Sequence, residues 1–162
     1  MGGNVTAMGS GGAPISAEVQ EFMAVCYGCP FIQGYGLTET GGGTVTHKDD
    51  NSSGHIGTPC VNKKVRLKDV PEMGYLTSDD PPRGEICFKG PSLFSGYFKS
   101  PDLTKEMFDE DGWFKTGDIG QILPGGRIKI IDRAKNLFKL AQGEYVAPEK
   151  LENIYVHLPI VQ

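Results

Sequence analysis

Apolar and charged positions alternate from Lys64 to Val70 and again from Gly84 to Lys89. Alternation sends every second side chain to one face, so both stretches predict short strands with one wet face. Two further apolar runs, Ile119 to Leu123 and Ile128 to Ile131, are split by Pro124-Gly125-Gly126 and predict a hairpin. A turn is expected at Thr116-Gly117, with Asp118 presented just after it. Past the hairpin, Asp132-Arg133-Ala134-Lys135 is a charged break straight after a strand. An apolar stub from Leu137 to Leu140 follows, with Lys139 inside it, and a helical pattern starts near Pro148.

At the front of the chain, Val5 to Met8 reads as a short buried strand running into a glycine turn. Ser16 is a candidate N-cap, and beyond it Val19, Phe22, Met23 and Cys26 fall on one helical face. Tyr27-Gly28 is the expected stop. Phe31 to Gln33 is a second strand, so strand, helix and strand predict a parallel α/β piece. In such sheets ligands collect beyond the carboxyl ends of the strands. Two loops leave such ends here: Ser10-Gly11-Gly12-Ala13-Pro14, and Gly34-Tyr35-Gly36-Leu37-Thr38-Glu39-Thr40. Glycine lets backbone approach a flat ring, and Tyr35 can stack on it. Thr38 can donate a hydrogen bond to a phosphate, and Glu39 is a hard oxygen donor of the kind magnesium prefers. On spacing alone the same loops are equally ordinary turns.

Val70 to Arg83, rich in Pro, Asp and Glu, reads as a loop, and His47 to Gly54 as a solvated one. Leu103 to Phe108 predicts a short helix with Asp102 as its cap. Trp113 is expected to anchor the loop that holds Asp118. A carboxylate accepts two hydrogen bonds and suits the paired hydroxyls of a ribose, so Asp118 is a candidate ligand or a simple turn aspartate. Arg133 offers a fixed fork of donors, for a ligand or for a surface ion pair.

Composition narrows the classes. The chain is 38% hydrophobic and 22% charged, an ordinary globular mixture of a size for about one domain. Its net charge of −4, with signs interspersed, gives no basic surface for nucleic acid. No G-x-x-x-x-G-K-[ST] string occurs, so a P-loop ATPase is not supported. Cys26 and Cys29 have C-x-x-C spacing, but no second ligand pair accompanies them. With Cys60 and Cys87 they read as reduced thiols in a reducing compartment. There is no signal-peptide pattern and no apolar run long enough to span a bilayer.

Longer strings carry a resemblance. YGLTET at Tyr35 to Thr40, GYF at Gly96 to Phe98, DGWFKTGD at Asp111 to Asp118 and IDRAKNLFKLAQGEYVAPEKLENIY at Ile131 to Tyr155 resemble the adenylate-forming (AMP-binding) superfamily, in its long-chain fatty acyl-CoA synthetase branch. The resemblance implies that Gly12 and Ala13 line the adenine and acyl pocket, and that Gln33, Gly34 and Tyr35 frame the adenine. It implies Thr38 for phosphate, Glu39 for magnesium, Asp118 for the ribose, and Arg133 for ribose and phosphate. Lys135 becomes the hinge of a C-terminal lid. Lys139 and Gly143 then meet the acyl-adenylate and the CoA arm, and Thr38, Glu39 and Lys139 form the catalytic set. The run Ala141-Gln142-Gly143-Glu144-Tyr145 departs from relatives that carry a lysine before the glycine.

The implied architecture is α/β with a β-rich part. Residues 1–57 end a parallel α/β subdomain, 58–131 form a small distorted β-barrel, and 132–162 hold the hinge and the start of an α+β lid. The implied activity is ligation of a fatty acid to CoA at the expense of ATP with Mg2+, in a longer parent of which this is an internal fragment, inactive alone. The alternatives are a non-catalytic nucleotide-binding module and a sibling ligase with another acid. The expected partners are fatty acid, ATP, CoA and the remainder of the synthetase chain, with no nucleic acid. The expected location is intracellular, cytoplasmic or on the cytosolic face of a membrane such as the endoplasmic reticulum. Any peripheral membrane contact is expected through parts outside these residues.

Overall fold

The computed structural model describes residues 3–133, the dipeptides Phe138–Lys139 and Tyr145–Val146, and residue 155. The chain starts with β1 (Met8–Ser10), three residues later than the run from Val5 suggests. The reason lies in pairing: Met8, Gly9 and Ser10 find parallel partners in Phe31, Ile32 and Gln33, whereas Thr6 and Ala7 stay exposed.

Between them runs α1 (Ala17–Tyr27). Ser16, in extended backbone, accepts the Val19 N–H at 3.2 Å, and Gly28 closes the helix in the left-handed region at φ 62°. The predicted apolar face is not the buried one. Val19 and Phe22 are exposed at 49 and 66%, Cys26 is exposed too, and Gln20 is the buried position. The Gln20 Oε1 atom has no hydrogen-bond partner among the described residues.

The next strand, β2 (Phe31–Tyr35), pairs antiparallel with β3 (Thr44–Val45), which pairs with β4 (Thr58–Pro59). This gives a mixed four-stranded sheet in the order β1-β2-β3-β4.

A second four-stranded sheet is antiparallel throughout, in the order β5 (Lys64–Lys68), β6 (Arg83–Lys89), β7 (Phe114–Leu123), β8 (Arg127–Arg133). A short helix, α2 (Pro101–Glu106), lies between β6 and β7, with Ser100 at its cap and Asp102 inside its first turn. The alternation read in 84–89 does not leave a wet face at the strand centre, because side chains cover both faces of β6 there. Ile86, Cys87 and Phe88 are consecutive and all fully buried. The core gathers Ile56, Ile86, Phe88 and Ile128, with Tyr35, Val65, Leu67, Leu93 and Ile130 packed against it. Phe138–Lys139 (β9) and Tyr145–Val146 (β10) pair antiparallel.

The two sheets are tied through residues 55–57. Ile56 N donates to Ile128 O at 2.8 Å and Ile128 N to Gly57 O at 2.9 Å. Beside them His55 is buried. Its Nδ1 accepts the Gly57 N–H at 3.0 Å, and its Nε2 lies 2.8 Å from Ser52 Oγ and 3.4 Å from Asp50. Arg127 donates to the same Ser52 hydroxyl at 2.6 Å.

Burial holds the His55 imidazole below its ordinary 6.5; Asp50 opposes that shift and Arg127 adds to it. The unfolded chain therefore takes up a proton near pH 6.5 that the folded one refuses. The stabilisation is complete above that pH and fades as pH falls through the window beneath it. Melting temperature is expected to drop between about pH 7 and pH 5.5, and His55→Asn to flatten that drop. An unchanged slope in thermal scans of the variant contradicts the assignment.

Candidate functional site

Asp118 does not sit after a turn. Thr116 and Gly117 lie inside β7, where the ladder breaks. Glu85 pairs with Ile119 and Cys87 with Lys115, so Thr116, Gly117 and Asp118 stand opposite Ile86 alone. A bulge of this kind re-aims side chains. Three local hydrogen bonds hold it. Thr116 Oγ1 donates to Ile86 O at 2.8 Å, Gly117 N donates to Glu85 Oε1 at 2.9 Å, and Asp118 N donates to Thr116 Oγ1 at 3.1 Å. Gly117 takes φ 77°, a backbone state that favours glycine.

The bulge sets the Asp118 carboxylate, 3% exposed, at the carboxyl end of β2. Tyr35 donates its hydroxyl hydrogen to Asp118 Oδ2 at 2.5 Å. Arg133, the cross-strand partner of Asp118 on β8, donates from Nε to Oδ1 at 2.8 Å. Burial first, and then the neighbouring carboxylate, push the Tyr35 phenol well above its ordinary value, so it remains a donor. A carboxylate has about four lone-pair directions. Two are used here, and two remain for a ligand.

The same recess takes Glu39 from the second glycine loop. Its volume is about 220 Å³, and Leu37, Glu39, Tyr97, Thr116, Asp118 and Arg133 line it. That is below the roughly 300–1,000 Å³ of a whole small-molecule site, so the recess can enclose only part of a larger ligand. Glu39 lies in a single 3-10 turn, Thr38–Thr40. Its Oε1 accepts the Tyr97 hydroxyl at 2.6 Å, and this bond, with some burial, pushes the Tyr97 phenol up to about 12.

Other predicted residues lie apart from this recess. Thr38 opens the turn and is exposed. Gln33 and Gly34 are strand residues of β2; Gln33 is buried and bonded through its backbone N–H to Thr46 Oγ1 at 2.9 Å. The first loop roots against the second, since a Cβ on Gly11 meets Gly34 O at 3.1 Å, but Gly12 and Ala13 are exposed and do not line the recess. Trp113 lies elsewhere, with the Arg66 guanidinium 4.6 Å over its ring. Lys135 and Gly143 fall outside the described residues, as does the helix expected from Pro148. Lys139 is described only as a β9 position paired with Tyr145.

Sequence reasoning missed Tyr97 and Thr116. Thr116 had a signal, its place two residues before the acid. Tyr97 had only its place in the GYF string, for it meets Glu39 across 58 residues.

The signature of the AMP-binding enzyme family matches residues 1–98. The chain is 56% identical over 157 residues to a protein of Arabidopsis thaliana named long chain acyl-CoA synthetase 7, peroxisomal, covering 96% of this chain and 22% of that one. It is 50% identical over 164 residues to human long-chain-fatty-acid–CoA ligase 1, covering 100% of this chain and 23% of that one. The chain thus spans less than a quarter of the length of these relatives. Among solved structures, the A domain of a carboxylic acid reductase from Segniliparus rugosus, in complex with AMP and a co-purified carboxylic acid, superposes with a TM-score of 0.75 at 41% identity, covering 95% of this chain and 23% of that one. ATP-bound MatB from Rhodopseudomonas palustris gives 0.76 at 32% identity, covering 93% and 30%.

Proposed function

The chain belongs to the AMP-binding enzyme family, and we propose that it forms the nucleotide-binding centre of an ATP- and CoA-dependent long-chain fatty acid ligase. The observation that carries the reading is one recess presenting the Glu39 and Asp118 carboxylates together with Arg133. The higher identity to long-chain ligases, 56% and 50%, than to the MatB structure at 32% favours a fatty acid over another acid.

In this reading Asp118 accepts hydrogen bonds from the ribose hydroxyls and Arg133 steers ribose and α-phosphate. Thr38 donates to phosphate. Gly12, Ala13, Gln33, Gly34 and Tyr35 frame adenine and acyl group. Magnesium takes one or two carboxylates and completes its shell with waters and phosphate oxygens. Glu39 supplies one such carboxylate, and no group of three or more His, Cys, Asp or Glu suited to a metal exists among the described residues. That donor set fits an ion arriving with ATP. Such an ion supplies charge neutralisation on the phosphates.

The chain's own groups hold the α-phosphorus for attack by the fatty carboxylate oxygen; the bond to the bridging oxygen breaks and pyrophosphate leaves with the electron pair. The CoA thiol then attacks the acyl carbon, the acyl–oxygen bond breaks, AMP leaves with its electron pair and the thiol proton passes to solvent. Lys139 and Gly143 contact acyl-adenylate and CoA in this scheme, and Lys135 is the hinge. Residues 1–57 finish the parallel subdomain, 58–131 contribute a distorted barrel, and 132–162 begin the lid. An intracellular site of action is part of the reading, consistent with four free cysteines. Among the described residues no helix is long and apolar enough to cross a membrane.

The full-length protein, given palmitate, ATP, Mg2+ and CoA, is expected to release AMP and pyrophosphate in step with palmitoyl-CoA. No AMP with any fatty acid overturns the ligase reading. Turnover only with a short or aromatic acid moves it to a sibling ligase.

A further inference from the structure

We infer that Tyr97 is a positioning residue, whose hydroxyl aims the Glu39 carboxylate at the magnesium–nucleotide complex in the recess. The inference rests on the ligase reading and extends it to a residue 58 positions away in sequence. Glutamate has three rotatable side-chain bonds, so a lone carboxylate on a 3-10 turn sweeps a wide arc. Here one oxygen is tied by the Tyr97 hydroxyl at 2.6 Å. The backbone of the same residue is tied too, since Phe94 N donates to Glu39 O at 2.8 Å. Lys63 bridges Thr40 O and Ser92 Oγ, so residues 92–97 clasp the turn at three points.

Tyr97 is itself held. Its N–H donates to Thr104 Oγ1 at 2.9 Å, and its ring meets Phe94 edge-on with centroids 4.9 Å apart. Phe94 in turn packs on the fully buried Phe114, with centroids 5.6 Å apart. Ordered scaffold thus continues from the sheet core to the Glu39 oxygen. Outer partners that orient a ligating group typically change metal affinity or activity 10–100-fold when removed.

Tyr97→Phe keeps the ring and deletes only the hydroxyl. In the full-length enzyme the variant is expected to raise the magnesium concentration for half-maximal pyrophosphate release about 10-fold or more. Calorimetry is expected to show MgATP binding weakened by a similar factor, with metal-free AMP binding unchanged. In a Glu39→Gln background, Tyr97→Phe is expected to add nothing. Wild-type magnesium dependence in the folded variant, or equal losses for AMP and MgATP, overturns the inference while leaving the ligase reading intact. A further loss of the same size in the Glu39→Gln background does so as well. Wild-type enzyme that releases no pyrophosphate with any acid overturns the reading, and the inference with it.

Discussion

In the proposed full-length ligase, Asp118→Ala is expected to lower kcat/KM for adenylate formation about 100-fold or more. Two hydrogen bonds between a carboxylate and a sugar diol are each worth roughly 1.5–3 kcal/mol. Losing both at the low end is about 3 kcal/mol, and each 1.36 kcal/mol is a factor of about ten. A separate effect falls on stability: the Tyr35 hydroxyl, now bonded to Asp118 at 2.5 Å, loses that acceptor, while Arg133, about half exposed, returns to water. Asp118→Asn keeps one acceptor oxygen and replaces the other by a donor, so a loss of roughly 10-fold is expected. Calorimetric titration with AMP, beside pyrophosphate release, checks both variants. Unaltered AMP affinity in a folded Asp118→Ala protein rules out the ribose role.

The largest stability effect is expected at Gly57. A Cβ there lies 2.0 Å from Val45 O, with φ at 80°, so both space and backbone forbid a side chain. The same residue donates to His55 Nδ1 at 3.0 Å and accepts from Ile128 N at 2.9 Å. Its displacement therefore loosens the seam between the two sheets. Left-handed backbone alone costs alanine roughly 1–2 kcal/mol. With the clash, about 3 kcal/mol or more is expected, or roughly 6–12 °C in melting temperature for a domain of this size. Gly125→Ala is the control. It has φ 80° but nothing within 4 Å of its Cβ, so only the backbone strain applies. Equal shifts for the two variants in thermal unfolding exclude the steric argument.

Features set by neighbours in sequence were legible. Ser16 and Gly28 bound their helix because both caps act within a turn of it. The hairpin around Pro124-Gly125-Gly126 followed from its turn residues, and the parallel pairing of β1 with β2 from strand–helix–strand order. What escaped depends on distant pairing. The two-residue strands β3 and β4 exist only through pairing, β3 with β2 and β4 with β3. The buried centre of β6 needs residues distant in sequence, such as Ile56 and Ile128, packed on its face. Asp118 read as a turn residue because a bulge places a glycine with positive φ inside a strand, and a Thr-Gly pair mimics a turn. Within the site, Glu39, Asp118 and Arg133 stood out by residue type and string. Tyr97 did not, because nothing local announces a bond to a carboxylate so far along the chain.

The pairing of Asp118 with Tyr35 and Arg133 also bears on how the recess fills. The carboxylate is stripped of most of its hydration shell when the chain folds. In the proposed role, a ribose diol then slips in beside the two donors, onto lone pairs they leave open. Drying the acid is part of folding, so binding the sugar does not bear that cost again.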